Sequence, residues 1–141
     1  MEDKTDFVWC DVVATGNVID KPNMKFSCSI KCEVAYGLYN DGWHLDTCTC
    51  NIVASSIKPL YYPTKERIER VATSAFILAS TDRVEVHDMI QKSNTEIVYP
   101  VDIYYHDGET KSKELTLYFY IDGEGWRYKG PGCVYYLNPV S

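Results

Sequence analysis

The sequence has no excess of positive charge, no long apolar run and no common catalytic signature, and each absence excludes a class of protein. Its 14 Lys and Arg residues are outnumbered by 20 Asp and Glu residues, for a formal net charge of −6. Nucleic acids and anionic membrane surfaces attract clusters of basic residues, so we expect neither as a partner. No apolar segment approaches the roughly 20 residues that span a bilayer.

Targeting and catalytic motifs are also missing. The acidic N-terminus, residues 1–6, is not followed by the apolar segment of a signal peptide. We therefore expect a cytoplasmic protein, or an extracytoplasmic one if the chain is the mature part of an exported precursor. The sequence contains no G-x-S-x-G, no H-E-x-x-H and no phosphate-binding loop. We expect no cofactor, and the missing signatures favour a non-enzymatic role without deciding it.

The patterns that are present predict a single α+β domain over residues 1–141. A helix is expected over residues 64–80, because Thr64 can cap it and apolar residues recur every three or four positions from Ile68 to Ala79. Residues 5–53 and 95–137 alternate between apolar and polar side chains, which is typical of β-meanders. The expected fold is a strongly twisted antiparallel sheet of about six or seven strands packed on one main helix.

The two meanders align with each other. Residues 5–9 match 95–99, and residues 32–43 match 115–126, in their order of apolar side chains. An internal duplication of the meander would produce this match, and so would any two sets of alternating strands. Both explanations remain open.

The C-terminal half carries a resemblance to a known fold. A helix is followed by long alternating strands, an Asp122-Gly123 turn, and Trp126 at the start of a final strand. This arrangement over residues 63–136 resembles the cystatin-like or nuclear-transport-factor-2-like fold, and most of all its small domains in bacterial proteins of unknown function. The resemblance implies a cone-shaped pocket between helix and sheet. It implies no single function, because the family includes enzymes, binding modules and scaffolds.

Four of the six cysteines lie on one predicted hairpin. With a turn near Asp41, Cys32 faces Cys50, and the alternation puts Cys28 and Cys48 on the same side. That side is the apolar one, so we expect buried free thiols. Cross-strand disulfides and a zinc site of these four cysteines are the alternatives.

Acid–base candidates cluster after the helix and at a turn. They are Asp82, His87, Asp88 and His106. A pocket histidine beside a carboxylate suits proton transfer near neutral pH. Solvated surface positions without a catalytic role are the alternative, because loops and turns are rich in such residues.

Tyrosines supply the preferred site. Tyr104, Tyr118 and Tyr120 alternate toward the sheet face opposite Leu115 and Leu117, and Tyr128 and Tyr136 are expected to extend the row. Exposed tyrosine favours protein contacts, so we expect a non-enzymatic module that binds a protein partner or self-associates through this face or an edge strand. The alternatives are a small-molecule binder or lyase/isomerase-type enzyme with a pocket between helix and sheet, and a zinc- or disulfide-stabilised domain.

Overall fold

A computed structural model describes residues 6–130 and 133–137 of the chain. Within them lie ten strands in two antiparallel sheets and one α-helix, which confirms the α+β class and exceeds the expected strand number. The elements are β1 (Asp6–Val18), β2 (Phe26–Tyr39), β3 (Gly42–Ile52), β4 (Lys58–Pro59), α1 (Lys65–Phe76), β5 (Thr81–Val86), β6 (Ile90–Ser93), β7 (Glu96–Tyr105), β8 (Thr110–Tyr120), β9 (Gly125–Gly130) and β10 (Cys133–Tyr136).

The chain divides into two compact units. Among the described residues, the first unit contains residues 6–17 and 27–57, and the second contains residues 18–26 and 58–130 with 133–137. The expected first meander corresponds closely to the first unit, and the helix and second meander both belong to the second unit.

The first unit is a meander of three long strands in the order β1-β2-β3. Cys32 pairs with Cys50 and Leu38 pairs with Trp43. Between Ala35 and Tyr36 the register shifts by one residue, so β3 has one extra residue at this point. Directly opposite residues share a face, so the apolar side of β2 continues across β3. Trp43 and Leu45 on that side are 51% and 56% exposed.

The second unit holds a five-strand path in the order β10-β9-β8-β7-β5, with β6 paired to β7. Ile97 lies opposite Leu117, and Tyr99 lies opposite Leu115. All four side chains are buried, so one face of this sheet forms the core of the unit. The expectation that Leu115 and Leu117 face the core is confirmed.

Helix α1 covers part of this core. Thr64 caps it, because the Arg67 N–H donates to Thr64 Oγ1 at 3.3 Å. Ile68 and Ala72 in the apolar stripe have no exposed surface, and the Phe76 ring lies 6.5 Å from that of Tyr128 on β9.

The helix ends at Phe76, before the expected end at residue 80. The Leu78 N–H donates to Thr81 Oγ1 at 3.1 Å instead of continuing the helical ladder. In the described part of the chain, no helix is long and apolar enough to cross a membrane.

Trp126 is the central side chain of the second unit's core. It has no exposed surface, and its indole N–H donates to the Tyr61 carbonyl at 2.9 Å. The ring stacks on Tyr62 and meets Phe119 edge to face, with centroid distances of 5.7 and 5.4 Å. Gly125 precedes it with φ of +71°, and a Cβ there would overlap the Tyr61 hydroxyl.

Candidate functional site

The candidate site lies on the face of the second unit's sheet that points away from the core, which we call the outer face. Leu115, Leu117 and Phe119 of β8 point into the core. Because successive side chains of a strand point to opposite faces, the residues between them point outward. Tyr118 and Tyr120 are thus on the outer face, and they are 43% and 38% exposed.

Three strands bring aromatic side chains together on this face. Tyr118 on β8 lies directly opposite Arg127 on β9, and Arg127 lies directly opposite Tyr136 on β10. The Arg127 guanidinium carbon is 3.6 Å from the Tyr120 ring centroid and 5.7 Å from that of Tyr136. Tyr136 is 48% exposed. We call Tyr118, Tyr120, Arg127 and Tyr136 the aromatic patch.

Arg127 holds the patch in a defined arrangement. Its guanidinium contacts the Asp122 carboxylate in the β8–β9 turn, and this contact lowers the pKa of Asp122. Its side chain is only 17% exposed, since the neighbouring rings cover it. An arginine over a tyrosine face is attracted by the ring quadrupole, so Arg127 helps to hold the Tyr120 ring in place.

Two of the five predicted binding tyrosines lie elsewhere. Tyr104 is on the outer face but pairs with Thr110, eight residues along β8 from Tyr118, a separation of about 27 Å along an extended strand. There it lies under the Arg83 guanidinium at 3.9 Å. Tyr128 is on the opposite face, where it stacks on Tyr135. The prediction that Tyr128 extends the row is therefore wrong. Tyr128 lies two residues after the buried Trp126 on β9 and points to the same face as Trp126.

A polar array occupies the middle of the outer face. The Ser112 hydroxyl donates to Asp102 Oδ1 at 2.8 Å, and His87 Nε2 is 2.6 Å from Asp102 Oδ2. The hydrogen bond from His87 lowers the pKa of Asp102, and the same bond raises the pKa of His87. Near neutral pH this favours a charged pair.

The order of these three groups argues against nucleophilic catalysis. In a catalytic triad the imidazole lies between nucleophile and carboxylate, so that it can take the hydroxyl proton. Here the carboxylate of Asp102 lies between Ser112 and His87. The Ser112 hydroxyl therefore donates to Asp102 and not to the His87 imidazole, and the three groups form a hydrogen-bonded surface cluster.

The same cluster contains a set of cation-binding atoms. Glu85, His87 and Asp102 each offer a ligand atom, and these atoms lie within 4.8 Å of one another. However, the Tyr104 hydroxyl donates to Glu85 at 3.0 Å, which raises the pKa of that hydroxyl, and His87 is bonded to Asp102. Partners within the protein thus already occupy these ligand atoms.

The other acid–base candidates are not brought to this array. His106 Nδ1 lies 3.7 Å from Asp82 Oδ1, and both side chains are about 60% exposed. Asp88 is exposed in the connection between β5 and β6. Leu117 and Trp126 on the core face of the sheet have no exposed surface.

The cysteines depart from the expectation of buried free thiols. Cys32 and Cys50 form a disulfide, so the expectation is wrong for this pair, whose directly opposed positions in the hairpin let the two sulfur atoms meet. Cys48 is a free thiol but is exposed. Cys28 is free and buried as expected.

Sequence reasoning missed Arg127, Asp102 and Ser112. These residues could not be singled out from the sequence, because each matters through the residue directly opposite it on the next strand. That pairing depends on the strand register. No protein-family model, curated protein or solved structure was found to match the chain. The resemblance to the cystatin-like fold and the duplication of the meander both stay predictions.

Proposed function

We propose that the protein is a non-enzymatic interaction module that binds a protein surface, either a partner or a second copy, through the aromatic patch. The observation that carries the proposal is the row Tyr118–Arg127–Tyr136 across three neighbouring strands, with Tyr120 stacked on the same guanidinium. This group of aromatic side chains is exposed although the core face of the same sheet is filled.

The composition of the patch suits protein recognition. Tyrosine and arginine are enriched among residues that contribute most to protein interfaces, because they bury large areas and still offer polar groups. Stacking on Arg127 also limits the rotamers of Tyr120, so little conformational entropy remains to be lost on binding. The half-exposed patch is therefore already ordered for contact with a protein surface.

The position of the patch adds a second mode of contact. Tyr136 belongs to β10, which is the last strand of this sheet among the described residues. A sheet edge offers backbone hydrogen-bonding groups to an incoming strand. A partner that adds a strand beside β10 would lay its side chains directly against the patch.

The test compares two double variants of the full chain. Tyr118→Ser with Tyr120→Ser removes two exposed rings of the patch, and Tyr36→Ser with Leu45→Ser removes two exposed apolar side chains of the first unit as a matched control. Sedimentation velocity over a range of concentrations measures self-association. If the wild type is monomeric, the immobilised chain is used to capture a partner, whose affinity is then measured with purified components.

We expect the patch variant to lose binding and the control to keep it. Interface residues of this kind contribute roughly 2 kcal/mol each, so two substitutions should weaken the Kd by about 1,000-fold. Far-UV circular dichroism should be unchanged, because both tyrosines are on the surface. The proposal fails if the patch variant binds like the wild type, if the control variant alone loses binding, or if the wild type neither associates nor captures a partner.

A further inference from the structure

Three sulfur atoms lie together on one face of the β2–β3 hairpin in the first unit. Cys32 on β2 is directly opposite Cys50 on β3, and the two are joined as a disulfide. Cys48 precedes Cys50 by two residues on the same strand and therefore points to the same face. Its Sγ is 3.5 Å from Cys50 Sγ, and all three sulfur atoms lie within 4.8 Å of one another.

The spacing of these sulfur atoms suits a tetrahedral metal ion. Zinc binds thiolate sulfur at about 2.3 Å, so two sulfurs on one tetrahedral ion are about 3.8 Å apart. The Cys48–Cys50 separation is close to that value, and the sulfurs of Cys32 and Cys50 can move apart toward it once their disulfide is reduced. Thiolates are soft ligands that select thiophilic ions over magnesium or calcium.

Access to the site is open. Cys48 and Cys50 are exposed and Cys32 is half-buried, so an ion can reach the sulfurs from solvent. Cys28, the fourth cysteine expected from the sequence, is buried and does not belong to the cluster. A three-sulfur site leaves the fourth coordination position to water.

We infer that the Cys32–Cys50 disulfide masks a metal site, and that the reduced protein binds one thiophilic divalent cation of the Zn²⁺ class through the thiolates of Cys32, Cys48 and Cys50. A dithiol reductant supplies two electrons and two protons to the disulfide and becomes a disulfide itself. The bound ion then displaces one proton from each of the three thiols. The oxidised protein keeps only the Cys48 thiol in the cluster, so disulfide and metal exclude each other.

The test uses Co²⁺ alone as a spectroscopic probe. Wild-type protein is reduced without oxygen, the reductant is removed, and Co²⁺ is titrated while thiolate-to-metal charge-transfer absorption is recorded. We expect saturation at one equivalent, displacement by Zn²⁺, and no such absorption with the oxidised protein. Cys48→Ser should lose the absorption, whereas the matched control Cys10→Ser, which removes the exposed thiol of β1, should keep it.

A second arm covers the case in which Cys48→Ser folds poorly. The exposed Cys48 thiol of folded, oxidised Cys10→Ser protein is alkylated, and the disulfide is then reduced. This protein should bind no Co²⁺, and its unalkylated counterpart should bind one equivalent. The inference is overturned if reduced wild-type protein gives no thiolate absorption, or if the absorption survives substitution or alkylation of Cys48.

Discussion

Replacing Trp126 with phenylalanine should destabilise the protein more than any comparable change at an exposed tryptophan. The Trp126 side chain is fully buried, and its indole N–H is bonded to the Tyr61 carbonyl at 2.9 Å. Phenylalanine keeps one aromatic ring, so it retains part of the contacts with Tyr62 and Phe119. It lacks the donor, and it is smaller than the space that the indole fills.

Two losses set the size of the effect. The removed ring atoms should lower the free energy of unfolding by about 1–2 kcal/mol through lost apolar burial. The Tyr61 carbonyl loses its partner in a part-buried setting, which costs roughly 1–2 kcal/mol more. We therefore expect a total of about 2–4 kcal/mol. The matched control Trp43→Phe, at a side chain that is 51% exposed, should change the free energy by less than about 0.5 kcal/mol.

Urea unfolding followed by far-UV circular dichroism measures both variants without depending on the altered fluorophore. Because the chain contains two units, amide hydrogen exchange in β8 and β9 should also be measured, since it reports opening of the second unit by itself. An effect below about 1 kcal/mol at Trp126, or equal effects at Trp126 and Trp43, would refute the reasoning that the buried indole and its hydrogen bond support this core.

Two further predictions test local geometry and charge. Gly125→Ala should cost about 2–4 kcal/mol in urea unfolding, because alanine is strained at positive φ and its Cβ would displace the Tyr61 hydroxyl. Gly108→Ala, which shares the positive φ but meets no neighbouring atom, should cost about 1–2 kcal/mol, and equal costs would contradict the clash. Asp102→Asn should lower the pKa of His87 measured by NMR, since Asp102 raises it in the wild type. In the wild type, and while Asp102 stays ionised, the stabilisation from this pair is fully present below the ordinary histidine pKa and is lost as pH rises through the raised pKa of His87. Asp102→Asn should remove that dependence, and an unchanged His87 titration would contradict the pairing.

Local patterns were sufficient for the start of the helix and for the long strand β8. Thr64 and the spacing of Ile68 and Ala72 predicted the start and buried side of α1, because capping and helical period act within one or two turns. The alternation around Leu115 and Leu117 predicted β8 and the face that it buries, since successive strand residues must point to opposite sides. These features depend only on neighbours along the chain.

The candidate site could be predicted only in part. Tyr118 and Tyr120 were identified because alternation within one strand put them opposite the core. Arg127 was missed, since its importance depends on lying between Tyr118 and Tyr136 in the register of three strands. Tyr128 was included wrongly, because its parity along β9 follows from Trp126, whose burial depends on tertiary packing.

The sequence alone determined the start of the helix, the course of β8 and its apolar side, and that Cys32 would face Cys50. Only the tertiary structure decided that the strands divide between two units, that Cys32 and Cys50 form a disulfide with Cys48 beside it, and that an arginine joins the exposed tyrosines. The physical reason is the range of the forces involved. Propensity, capping and alternation act over a few residues, whereas pairing register and burial are set by contacts between segments far apart in the chain.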